Sequence, residues 1–355
     1  MQKVNVLVAG STGYIGIQLI KLLVKHKFIK IKYLCGNSSV GKNISNYDIN
    51  LKKKKLPKIK KLNYDFFNNV DVIFTALPNG ESQIISNHLK ENNTLIDLSA
   101  DFRLQNKDIY EEFYKIKHGS VKNIKNSIYA LPEIIKNKIK NKKIISCPGC
   151  YPTSILLPLI PLLKKKLINK NIIVDSKSGY SGAGRSIHKK YKNHNLYESM
   201  SVYGIPKHRH NSEIHQEFNK ISKNVLFEFT PHLIPTFRGI LSTIYVKKKK
   251  NVSAKRLFKY LKEFYKNDNF IRIKKMNKLL STNEVINTNY CDISICESNT
   301  KDKLIILSTI DNLIKGGAGQ AIQNLNIRYN FKITEGLIWS LLFLLFYYSQ
   351  FHVLI

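Results

Sequence analysis

For its first 150 residues the chain alternates apolar runs with amphipathic stretches. KVNVLVAG, residues 3–10, is apolar and β-branched. STGYIGIQLIKLLVKH follows, with Ile15, Leu19, Leu22 and Leu23 at helical spacing. Together they predict a strand, a tight turn at Gly10, Gly13 and Gly16, and a helix. Further strands are predicted in IKYLCG (31–36), VDVIFTAL and NTLIDLSA, with a helix over 81–92 between the last two. Such alternation predicts an α/β fold, a doubly wound parallel sheet of Rossmann type.

After Cys150 the pattern changes. NVLFEFTPHLIP, ILSTIYVKKKK and KLIILSTIDNL predict longer strands, with the helix SAKRLFKYLKEFYK between two of them. That predicts an α+β second domain with a large mixed sheet. GGAGQAIQNLNIRY predicts a glycine-rich helix start. The expected division is 1–148 for a dinucleotide domain, 149–310 for a catalytic domain, 311–336 for a helix returning to the first, and 337–355 for an apolar tail. That tail is at the margin of spanning length and broken by Ser340, Ser349, Gln350 and His352, so packing is expected rather than a membrane anchor.

Composition modifies this picture in three ways. With 355 residues, 43% of them hydrophobic, the chain can bury two cores. Its formal charge of +34 would ordinarily suggest a nucleic-acid partner. The lysines, however, are spread along the chain beside abundant Asn and Ile, as A/T-rich codon usage would produce. No nucleic-acid partner is expected on this ground. Arginine is correspondingly informative: there are seven, and Arg103, Arg185, Arg209 and Arg238 fall in motifs. Five cysteines, an odd number, argue against a disulfide framework and for a reducing, cytoplasmic setting.

The turn GSTGYIG (10–16) follows a strand and opens a helix, as dinucleotide binding requires. Glycine lets the backbone approach a pyrophosphate, and free helix N–H groups bind it. Gly10, Ser11, Thr12, Gly13, Tyr14 and Ile15 are the candidate contacts. The second strand ends in CGNSSVGKN without the acid that holds a ribose 2′-hydroxyl. Ser38, Ser39 and Lys42 suit a 2′-phosphate instead, so NADP is expected. Pro78, in TALPNG, lies where a loop would cover the cofactor.

CPGC (147–150) admits three readings: a redox pair, half a metal site, or one working thiol. The motif lies mid-chain rather than in a small βαβ unit, and Cys291 and Cys296 do not complete a zinc site. No metal is expected. Cys150 directly precedes an apolar run with Pro152 in its first turn, so its thiol is expected at a helix N-terminus with a lowered pKa. A thiolate near a nicotinamide suggests catalysis through a thioester. HRHNSEI supplies His210 as acid/base and Glu213, three residues on, to orient the ring and raise its pKa.

GSTGYIG, SADFRL, YALPE, CPGCYPTS, SGYSGAGRS, HRHNSEI, TPHLIPTFRGIL and DNLIKGGAGQAIQNLN resemble, in this order, the N-acetyl-γ-glutamyl-phosphate reductases. The resemblance runs from Val4 to Asn326. The usual family forms are NPGCYPT and HRHxPEI; here Cys147 replaces Asn, and Ser212 replaces Pro, which is expected to loosen the helix start. The resemblance implies NADPH-dependent reduction of an acyl phosphate in arginine synthesis, with Cys150 as nucleophile and His210, paired with Glu213, as base. It implies Arg103 and Arg209 as ligands of the substrate's carboxylate or phosphate. It places Ser181 and Gly182 against the nicotinamide end and Asn312 on the cofactor. A homo-oligomer, dimer or tetramer, is the expected assembly. Relatives acting on aspartyl phosphate or carrier-bound aminoadipyl phosphate are the near alternatives. A decayed nucleic-acid binder is the distant one, against which intact Cys150, His210 and Arg103 speak.

Overall fold

The computed structural model describes residues 3–185 and 198–338; residues 339–355 of the apolar tail lie outside the described residues. Two seven-stranded sheets organise the chain. The first contains β1 (Val4–Ala9), β2 (Ile29–Cys35), β3 (Ile59–Lys60), β4 (Val72–Thr75), β5 (Thr94–Asp97), β6 (Ser127–Tyr129) and β7 (Ile144–Ser146). Their order is β3-β2-β1-β4-β5-β7-β6, and every pairing is parallel. This is the expected Rossmann sheet, and the order reverses between β2 and β4 on either side of β1. The near-continuous apolar runs of β1, β4 and β5 follow from burial on both faces. On one face lie the helices Tyr14–Leu23 and Gly319–Arg328, packed through Leu19, Ile20, Ile322 and Leu325. Phe67, Ile85 and Phe102 cover the other.

The second sheet contains β8 (Ile168–Gly179), β9 (Ser201–Val202), β10 (Leu226–Ile234), β11 (Ile240–Lys248), β12 (Ile271–Ile273), β13 (Cys291–Glu297) and β14 (Lys303–Ile310). Its order is β12-β13-β14-β11-β8-β10-β9, with parallel and antiparallel pairs, as expected of a mixed sheet. The helix Cys150–Lys164 packs on its inner face, with Ile155, Leu159 and Leu162 in one core with Val174, Ile244 and Ile306. That helix contains Pro158 and Pro161. Proline has no N–H, so Pro161 frees the carbonyl of Leu157. The buried Tyr265 hydroxyl donates to that carbonyl at 2.5 Å, which is how Pro161 is tolerated.

Three local expectations change. The helix predicted over 81–92 ends at Ser86. The Ser86 hydroxyl bonds the carbonyl of Gln83, the kind of local bond by which serine competes with helix propagation. The lysine-rich stretch after β2 contributes the short edge strand β3, paired at Leu34 and Cys35. β8, the twelve-residue strand inside the second sheet, had no predicted counterpart.

Candidate active site

The first sheet carries its glycine turn, its TALPNG loop and its cysteine loop at the carboxyl ends of β1, β4 and β7, where doubly wound folds bind ligands. Cys150 is the first residue of its helix, with Gly149 as an extended N-cap and no side-chain cap. The Thr153 hydroxyl and N–H close the turn by donating to the Gly149 carbonyl at 2.9 and 3.0 Å. The Cys150 thiol is half-buried. Burial pushes its pKa up, against the Arg103 guanidinium and the Tyr151 N–H, which lower it. The expected depression of the free thiol is therefore corrected: desolvation outweighs the helix terminus. Cys147 is fully buried, its thiol bonded by the Asn324 amide at 3.5 Å and pushed by burial to about 12.

His210 opens the helix His210–Asn219, and its ring lies against the cysteine loop. A Cβ on Gly149 would stand 2.5 Å from His210 Nε2, so glycine is what lets the imidazole this close to the loop that presents Cys150. Burial, then the His208, Arg209 and Arg103 charges, hold His210 well below its ordinary pKa. The expected upward shift by Glu213 is corrected. Glu213 Oε1 stands 3.8 Å from Nε2, outside hydrogen-bond reach. Its carboxylate is occupied instead by Arg103 at 2.9 Å, the Tyr129 hydroxyl at 3.1 Å and the Gly149 N–H at 3.0 Å. Glu213 thus holds the cysteine loop rather than the imidazole.

Arg103 is redirected in the same way. Its three nitrogens donate to the Cys147 carbonyl, to Glu213 and to the Leu98 carbonyl, and it is buried. The guanidinium thereby clamps the loop after β5 to the loop after β7. Arg209 is exposed, and its charge acts on both Cys150 and His210. The Ser212 hydroxyl donates to the Arg209 carbonyl at 2.7 Å, so the first helical turn gains a bond rather than loosening.

The glycine turn fits a dinucleotide. Gly10 adopts φ +83°, and a Cβ there would run into the Ala76 carbonyl. A Cβ on Gly13 would meet nothing closer than 3.7 Å, so that side of the turn is open. The helix behind it has no side-chain cap and no acid in its first turn, leaving its N–H groups and dipole available to an anion. Thr12, Gly13, Tyr14 and Ile15 are half-buried around this opening. Ser11 is turned away: it is fully buried, and its hydroxyl donates to the Cys35 carbonyl at 3.0 Å. Ser39 is likewise buried against Gly36, whereas Ser38 and Lys42 are exposed after β2. Pro78 is exposed in a loop fixed by Asp101, which accepts from the Gly80 and Ser82 N–H groups at 2.8 and 3.0 Å.

The loop after β8 and the returning segment join the two halves. Arg185 donates to the Thr12 carbonyl at 3.0 Å and lies over the Tyr14 ring. Asn312 accepts from the Gly239 N–H at 2.7 Å and donates to the Ser181 hydroxyl at 2.9 Å. Its amide is engaged in tying Ser181 to β11 rather than open for a cofactor contact, while Gly182 is exposed. A π-helical turn, Ile314–Ala318, then wedges between the cradle and the nucleophile. A Cβ on Gly316 would stand 2.6 Å from the Cys150 Cβ, and one on Gly317 would stand 2.8 Å from Ile15 Cδ1. Among the described residues, no group of three or more His, Cys, Asp or Glu could hold a metal, and the five cysteines are free.

The chain is similar to known proteins over most of its length. The family model of the semialdehyde dehydrogenase NAD binding domain matches residues 5–142, and that of the semialdehyde dehydrogenase dimerisation domain matches 150–312. N-acetyl-gamma-glutamyl-phosphate reductase of Brachyspira hyodysenteriae is 44% identical over 345 residues, 94% of this chain and 98% of that protein. The chain belongs to the N-acetyl-γ-glutamyl-phosphate reductases. Another relative, a probable chloroplastic N-acetyl-gamma-glutamyl-phosphate reductase of Arabidopsis thaliana, is 39% identical over 94% of this chain and 84% of its own length. Aspartate semialdehyde dehydrogenase II of Vibrio cholerae, solved in complex with ASA, superposes at TM-score 0.68 and 16% identity, covering 93% of this chain and 99% of that one. That likeness shows the fold. Within this reductase, sequence reasoning missed Tyr129, Gly149 and Gly316 as parts of the site. Tyr129 sits in YALPE and Gly316 in the glycine-rich stretch, but only the folded contacts bring them to Glu213 and Cys150.

Proposed function

We propose that the chain reduces N-acetyl-L-glutamyl 5-phosphate to N-acetyl-L-glutamate 5-semialdehyde with NADPH, releasing phosphate, in arginine biosynthesis. The observation that carries this reading is the convergence at the π-turn, which touches the dinucleotide helix at Ile15 and the nucleophile at Cys150.

In the free enzyme the thiol and imidazole are both neutral, which follows from the directions of their shifts. As the Cys150 sulfur bonds the acyl carbon, its proton passes to His210 Nε2 and then to the departing phosphate. The acyl group is left as a thioester on Cys150. Phosphate leaves with the electrons of the broken C–O bond, so the step needs no metal ion. Arg209 meets the anionic substrate, and the uncapped N–H groups at the helix start face developing oxyanion charge. When bound, NADPH supplies the hydride that reduces the acyl carbon. Collapse of the hemithioacetal returns sulfur to Cys150, where His210 delivers a proton taken up from solvent. Glu213, Arg103 and Tyr129 hold the loop.

Gly10, Thr12, Gly13, Tyr14 and Ile15 would hold the pyrophosphate, Ser38 and Lys42 the 2′-phosphate, and Pro78 and Gly182 would border the cofactor. Residues 1–148 form the cofactor domain in this reading, 149–310 the catalytic domain and 311–336 the return. The assembly is a homo-oligomer resting on the second sheet, whose outer face exposes Ile173, Leu226 and Tyr245. Five free cysteines favour the cytoplasm, and among the described residues no helix is long and apolar enough to cross a membrane.

The test is NADPH oxidation with N-acetylglutamyl phosphate against aspartyl phosphate. Preferred turnover of the first, and a higher KM for NADPH but not NADH in Lys42→Ala, are expected. Preference for aspartyl phosphate would overturn the substrate, and wild-type preference for NADH the cofactor.

A further inference from the structure

The reaction leaves the buried cation of Lys315 unused. Lys315 is fully buried in the π-turn, one residue before the glycine that touches Cys150. Its Nζ donates to Glu133 Oε1 at 2.5 Å and to Gln323 Oε1 at 2.7 Å. Gln323 Nε2 donates back to Glu133 at 2.9 Å, and Asn289 donates to Gln323 at 2.7 Å. The network joins three segments: the turn after β6, the loop before β13, and the returning helix.

Burying such a pair stabilises a fold weakly at best, because desolvation offsets the attraction. Its placement suggests a different role. The same segment grips the nucleophile loop at three points. Gly316 abuts the Cys150 Cβ, Gln320 donates to the Thr153 hydroxyl at 3.1 Å, and Asn324 donates to Cys147 Sγ at 3.5 Å and to the Ala130 carbonyl at 3.1 Å. The π-turn is itself an irregular conformation that needs support from outside the helix. A change at Lys315 therefore displaces Gly316 before anything else.

We propose that Lys315 is a positioning residue. Through its ion pair with Glu133 it fixes the π-turn that sets Cys150 against the cofactor cradle, without touching substrate. The proposal rests on Cys150 being the nucleophile.

The test compares wild type with Lys315→Met and with Glu133→Gln/Lys315→Met. The single variant strands a buried carboxylate, so any failure to fold is bypassed by the double variant, which removes both charges at similar volume. Three quantities are read: kcat and KM for both substrates, the thermal midpoint, and the pH profile of Cys150 alkylation by iodoacetamide in the free enzyme. The double variant should fold, lose about 10- to 100-fold in kcat with little change in either KM, and shift the alkylation profile. A folded double variant with wild-type kcat and profile would overturn the proposal, as would a raised KM with kcat unchanged. Alkylation needs no substrate, so it responds to Lys315 even if the acyl phosphate has been misidentified.

Discussion

Gly149→Ala isolates the contact that brings acid/base and nucleophile together. Gly149 has φ −65° and ψ 160°, a backbone that alanine adopts without strain. The only new element is the methyl group. It would stand 2.5, 2.8 and 2.9 Å from His210 Nε2, Cε1 and Cδ2, where ordinary contact begins at 3.4 Å. The ring must therefore retreat by about 0.9 Å, or the loop by the same amount. A misplacement of about 1 Å in a reacting group costs on the order of 100-fold in rate. Overpacking should add about 1–3 kcal/mol of destabilisation. Steady-state NADPH oxidation should then show kcat down about 100-fold, with KM for NADPH unchanged because the cradle is untouched. A companion Gly149→Ala/His210→Ala should recover the lost stability, since removing the ring removes the clash. A folded Gly149→Ala enzyme with kcat within about twofold of wild type would show that catalysis does not depend on the imidazole's close approach to this loop.

Arg209→Ala should raise KM for the acyl phosphate, whereas Arg103→Met should lower stability by about 3–5 kcal/mol by stranding Glu213; substrate titration and urea unfolding separate the two. Tyr265→Phe leaves the Leu157 carbonyl without its donor and should cost about 1–3 kcal/mol in urea unfolding with kcat unchanged. Burial pushes Asp268 up to about 6. Its raised folded pKa means the native state is penalised above pH 6, less so as pH falls towards the unfolded value near 4, and not below it. Asp268→Asn should therefore raise the melting temperature at pH 7.5 and lose that advantage near pH 4; a constant difference across that range would contradict the assignment.

Strands β1, β4 and β5 were legible because burial on both faces writes itself as near-continuous apolar runs, and the glycine turn because backbone approach admits little else; the short β3, β6 and β7 carry too few residues to show a pattern. Cys150 was legible from its helix start. The roles of Arg103, Glu213 and Asn312 were not. Each has a deciding partner far along the chain, and which group a buried polar side chain satisfies is decided by three-dimensional packing. Glu213 at i+3 from His210 has the spacing of an orienting carboxylate, yet Arg103 and the Gly149 N–H, presented by the loops after β5 and β7, compete more strongly. The sign of the Cys150 shift failed for a related reason. A helix terminus is visible in sequence, but the depth at which the thiol is buried is not. β8 was missed because NKNIIVDSKSG alternates too irregularly to signal a strand.

In this mechanism Cys150 carries the acyl group between phosphate release and hydride transfer. Incubating the enzyme with N-acetylglutamyl phosphate in the absence of NADPH, quenching in acid and mapping peptides by mass spectrometry tests it directly. One N-acetylglutamyl group on Cys150, formed with one equivalent of released phosphate, is the predicted result. Stoichiometric phosphate release with the adduct on Cys147, or with none on any cysteine, would contradict it.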